Sequence, residues 1–109
     1  MTYNGYTLAD GAALCTLLAE PLRAVGLFVG LTGGCCYKLG ARKDIDLVLY
    51  RHRQQSVPAA NAVDTFVVVV SQVANITDVK TFGFVTKMKI NGAPVDVLFP
   101  EAVDGGYPA

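Results

Sequence analysis

The stretch from Gly33 to Tyr50 reads Gly-Gly-Cys-Cys-Tyr-Lys-Leu-Gly-Ala-Arg-Lys-Asp-Ile-Asp-Leu-Val-Leu-Tyr, and it constrains the fold more than any other part of the 109-residue chain. A Gly-Gly turn follows the apolar run Leu27–Leu31, and a second strand-like run opens on two aspartates at i and i+2. Side chains in a strand alternate between faces, so Asp44 and Asp46 share one face with Cα atoms roughly 6.5–7 Å apart. Ile45, Leu47 and Leu49 point the other way. Two carboxylates side by side repel each other, a poor arrangement for stability alone. A hard divalent cation removes that repulsion, because Mg²⁺ prefers carboxylate oxygens and substrate phosphates.

A chain of this length makes one domain with a single core. Hydrophobic residues make up 52% of it and mean hydropathy is +0.41, so some apolar surface is expected to be reserved for a partner or a second copy. The longest apolar run, Phe66 to Val70, is far short of the roughly 20 residues a membrane span needs. Nine basic and nine acidic residues cancel, which argues against the broad basic surface of a nucleic-acid binder. Basic clusters are local, at Lys38/Arg42/Lys43, Arg51/His52/Arg53 and Lys87/Lys89. Cys15, Cys35 and Cys36 form neither a disulfide framework nor, with one histidine and no CxxC, a zinc site. A cytoplasmic setting with reduced thiols is the expectation, as no segment resembles a signal peptide.

Apolar spacing predicts a helix from Thr7 or Asp10 to Val25, with Pro21 as a break or kink and Gly26 as its stop. Strands follow at Leu27–Leu31 and Asp44–Arg51, with a short helix over residues 35–40 between them. Residues 58–74 read as a helix despite the β-branched run Val67–Val70, because apolar positions recur at three-to-four spacing. Lys80–Ile90 reads as one strand, Asn91-Gly92 as a hairpin turn, and Pro94–Phe99 as the returning strand. The expected class is α+β, a mixed sheet of about four strands with helices mainly on one face. Residues 1–100 form the domain and 101–109 a tail. A third glycine of GxGxxG and a Gly-Lys-Ser/Thr triplet are both missing, which excludes Rossmann and Walker phosphate loops.

The returning strand Val95-Asp96-Val97-Leu98-Phe99 carries one acid in an apolar run. A buried charge there needs a partner. If this strand lies beside Asp44–Arg51, then Asp96 faces the same cation as Asp44 and Asp46. The alternative is that Asp96 pairs across the hairpin with Lys87 or Lys89, as directly opposed charges often do.

Strand, Gly33-Gly34, nine intervening residues, Asp44-Ile45-Asp46 and a later Asp96 together resemble the nucleotidyltransferase superfamily related to DNA polymerase β. Gly33-Gly34-Cys35 with Leu39-Gly40 and Arg42–Asp46 is also similar to the head of tRNA nucleotidyltransferases, although the Arg-Asp pair expected after Gly-Gly-Cys is absent here. The resemblance implies a minimal stand-alone fold that moves a nucleoside monophosphate from NTP to a hydroxyl. The acceptor would be a protein, an RNA end or a small molecule, and no membrane is involved. It implies Asp44, Asp46 and Asp96 as catalytic residues and ligands of Mg²⁺ (or Mn²⁺), with Gly33, Gly34, Cys35 and Lys43 toward the phosphates. Cys35 departs from the serine of many relatives and is a weaker donor. A partner protein or homodimer would supply the missing half. The alternative is a non-catalytic nucleotide- or partner-binding module on the same fold, antitoxin-like.

Overall fold

The structure, a computed structural model, describes residues 7–32, 44–52 and 57–101. Helix α1 (Leu8–Arg23) begins at a capping box. The Thr7 N–H donates to Asp10 Oδ2 at 2.9 Å, and the Asp10 N–H returns the bond to Thr7 Oγ1 at 3.3 Å. Two otherwise orphaned donors are thereby satisfied at the first turn. Pro21 falls in the last turn, where α1 is about to end, and Gly26 (φ 83°) reverses the chain into β1 (Leu27–Thr32). Strand β2 (Ile45–Arg51) follows, and a 3₁₀ turn (Ala59–Asn61) runs into α2 (Ala62–Val70). Three strands complete the order: β3 (Ile76–Phe82), β4 (Val85–Ile90) and β5 (Ala93–Leu98).

Helix α2 forms although four consecutive valines, Val67–Val70, favour a strand. Packing decides: Ala62, Phe66, Val69 and Val70 fall on one face and are buried. Beyond it, Ser71 Oγ donates to the Val67 carbonyl at 2.6 Å and helps close the last turn.

The sheet has five strands in the order β1-β2-β5-β4-β3. Only β2 and β5 run parallel; every other pair is antiparallel. Five strands replace the expected four because Lys80–Ile90 is not one strand. The chain reverses at Gly83 (φ 61°), and the preceding residues from Ile76 pair back along β4. A side chain is unfavourable at that φ, and glycine makes the turn without strain. Asn91 (φ 53°) and Gly92 (φ 84°) both adopt the positive φ of a type I′ turn, matching the right-handed twist of β4 and β5.

Both described helices lie on one face of the sheet. Leu18 and Leu22 of α1 and Phe66 and Val70 of α2 join Ile45, Leu47, Leu49, Met88, Ile90, Val95 and Val97 in one buried cluster. These strand residues alternate with Asp46, Val48, Tyr50, Lys87, Lys89, Asp96 and Leu98, none of them buried. Among the described residues no helix covers that second face, called the open face below. No described helix is long and apolar enough to cross a membrane.

Candidate functional site

The open face is organised in rows that run across the strands. One row is polar, and its members are register partners in turn: Thr32 of β1, Asp46 of β2, Asp96 of β5, Lys87 of β4 and Lys80 of β3. Neighbouring members are about 4.8 Å apart, the spacing between paired strands. The next row is apolar: Gly30, Val48, Leu98, Val85 and Phe82, again register partners from edge to edge. Beyond it, Phe28 and Tyr50 stack with ring centroids 5.9 Å apart, and His52 lies 5.8 Å from Phe28.

Two of the three expected acids are therefore brought together. Asp46 and Asp96 are direct partners across the parallel β2–β5 pair, and alternation against buried Leu47 and Val97 turns both to the open face. Asp44 lies one residue outside β2, on a bend, so β2 begins at Ile45 and not at Asp44. The ladder stops there because the position beside it on β5 is Pro94, which has no N–H to donate. Gly33, Gly34, Cys35 and Lys43, and the expected helix over residues 35–40, lie outside the described residues.

Of the two hairpin partners the sequence offered Asp96, the structure selects Lys87. Lys87 Nζ donates to both of its carboxylate oxygens, at 3.3 and 3.2 Å. The carboxylate is 19% exposed and the lysine 54%, so the pair is only partly shielded from solvent. Along the row the signs run Asp, Asp, Lys, Lys. Like charges stand opposite each other twice and unlike charges once, and like charges directly opposed across strands destabilise.

Carboxylates are acceptor-only oxygen donors, the chemistry a hard cation requires. Among the described residues no three His, Cys, Asp or Glu side chains are gathered as a metal cage. Mg²⁺ needs none, since it commonly takes one or two carboxylates and completes its shell with waters and substrate phosphates. The Asp46–Asp96 pair fits that requirement.

Lys80 and Phe82 belong to the site's surroundings and carry no signal in the sequence on their own. The alternation of β4 hints at Lys87, but the place of β3 beside it was not legible.

No protein-family profile matches the chain, and no curated protein matches it in sequence. Among solved structures it is similar in fold to a chain described as "Structural Basis for the Activity of a Cytoplasmic RNA Terminal U-transferase", with a TM-score of 0.60 and 12% identity. The match covers 91% of this chain and 32% of that one, so the present chain spans about a third of the other's length. At that identity the likeness concerns the fold alone, an α+β unit with a five-stranded mixed sheet.

Proposed function

We propose that this chain is the catalytic unit of a metal-dependent nucleotidyltransferase, moving a nucleoside monophosphate from an NTP to a hydroxyl acceptor with release of pyrophosphate. The observation that carries the reading is the register pair Asp46–Asp96 on a sheet face that no described helix covers. The fold similarity to a terminal U-transferase supports it independently. Asp44, Asp46 and Asp96 are the residues that would hold the cation. When bound, Mg²⁺ or Mn²⁺ neutralises phosphate charge and steadies the oxygens of an in-line displacement. By resemblance, Gly33, Gly34, Cys35 and Lys43 are assigned to the phosphates, where glycines would permit close backbone approach and Lys43 would add charge. Asp96 accepts the proton of the acceptor hydroxyl as its oxygen bonds to the α-phosphorus and the bond to pyrophosphate breaks. Lys87 turns away from Asp96 for this to happen. A protein, an RNA end and a small molecule are all acceptors that suit this chemistry. The cytoplasm, with its NTP pool, is the setting that suits it.

The test is incubation with each labelled NTP, Mg²⁺ or Mn²⁺ and a cell extract. Label moves to one acceptor, and Asp96→Asn slows the transfer by about 10²- to 10⁴-fold, with Asp46→Asn also losing metal-dependent nucleotide binding. Absence of metal-dependent nucleotide binding at millimolar NTP ends the reading.

The Lys87–Asp96 ion pair favours a second reading, a binding module whose third acid is already neutralised. Tight NTP binding without pyrophosphate release, unchanged in Lys87→Met, selects it.

A further inference from the structure

We infer that the β3–β4 half of the open face seats a single-stranded nucleic acid, with backbone phosphates on Lys80 and Lys87 and a base on Phe82. The seat stands on its own; that the seated strand is the acceptor rests on the transferase reading above. Lys80 and Lys87 are register partners on adjacent strands of the open face. Two residues along each strand, still on that face, stand Phe82 and Val85, which are partners in their turn. A cationic row thus runs beside an apolar row at roughly 6.5–7 Å, the rise of two strand residues. A nucleotide presents the same pattern, with an anionic phosphate on one side and a flat apolar base on the other. Sheets that bind single strands use this combination of cations along the backbone and aromatics beneath the bases.

The surroundings suit such an occupant. Phe82 is 58% exposed on an edge strand, an unfavourable place for a phenyl ring unless something stacks on it. Lys80 takes part in none of the ion pairs among the described residues. Lys87 exchanges one part-exposed anion, Asp96, for another. Lys89, on the same face of β4, extends the cationic edge although Asp78 holds it at 3.6 Å. The seat also has a direction: the polar row leads from Lys80 through Lys87 to Asp96, so a strand lying on the lysines brings its end to the acid that receives the proton. Zero net charge over the chain hides this, because the cations of β3 and β4 are gathered on one face.

Fluorescence anisotropy with a short labelled oligouridine, in EDTA and without NTP, separates the seat from the chemistry. Lys80→Glu weakens binding by about 10-fold and lowers the slope of log affinity against log salt by about one. Phe82→Ser weakens it by about 5- to 100-fold. Val68→Ser, on the exposed side of α2, leaves it unchanged. Both test positions are exposed, and melting temperatures verify that the variants fold; the salt dependence of the unaltered chain needs no variant at all. Oligouridine binding that neither substitution weakens overturns the inference, as does absence of binding at low salt. Transfer of label to a protein, with no oligouridine bound, removes the seat and keeps the transferase. Binding that both variants weaken in a chain without metal-dependent NTP binding upholds the seat and removes the transferase.

Discussion

At Asp46 and Asp96 two carboxylates stand opposite each other across adjacent strands, and Lys87 stands against Asp96 on the far side. Repulsion of this kind costs about 0.2–1 kcal/mol per pair. Removing it reveals the difference between stability and function. Asp46→Asn is expected to shift the urea unfolding free energy by no more than about 1 kcal/mol while abolishing metal-dependent nucleotide binding. A larger loss of stability on that substitution would mark Asp46 as a structural residue. The Lys87–Asp96 pair is partly exposed, so Lys87→Met costs no more than about 1 kcal/mol and its effect shrinks with added salt. Gly92 presents a simpler case at the same scale. Its φ of 84° disfavours any side chain, and Gly92→Ala should destabilise the chain by about 1–2 kcal/mol in the same denaturation experiment.

Among the elements, α2 and β3 teach opposite lessons. The sequence reading of α2 as a helix holds in spite of its valines, because apolar residues fall at Ala62, Phe66, Val69 and Val70, one helical face. Phe66 is fully buried among residues of the sheet and α1, so Phe66→Ala is expected to cost about 3–5 kcal/mol in thermal or urea unfolding. Strand β3 was half missed, for a physical reason. Its residues after Ile76 are all exposed, so no alternation of apolar and polar types marks them. A bulge between Thr77 and Lys80, with Asp78 at φ 57°, further breaks its period. Gly83 was the available signal, a lone glycine between two runs of strand-forming residues.

Over the whole molecule, distant segments are tied at one corner. The Arg51 guanidinium donates from Nε to both Glu101 oxygens at 3.0 Å, from Nη2 to Glu101 again, and from Nη1 to the Val57 carbonyl at 2.9 Å. The bonds join the end of β2 to the approach to α2 and to the turn after β5. Hydrogen bonding to Glu101 raises the arginine's pKa above its ordinary value, so the cation persists throughout the working pH range. Both side chains are partly exposed, and Glu101→Gln should lower the melting free energy by about 0.5–1 kcal/mol, an effect that fades at high salt. By itself the sequence determined the α+β class, the two described helices, the Asn91-Gly92 hairpin and the alternation that turns Asp46 and Asp96 away from apolar neighbours. These follow from local periodicity, which each segment carries within itself. Only the tertiary structure decided that β5 lies parallel beside β2, that Asp46 meets Asp96 in register, and that Lys87 and Lys80 continue the same row. Strand order and register depend on which faces bury together across the whole core, and slipping one strand by a single residue would send its acid to the other side.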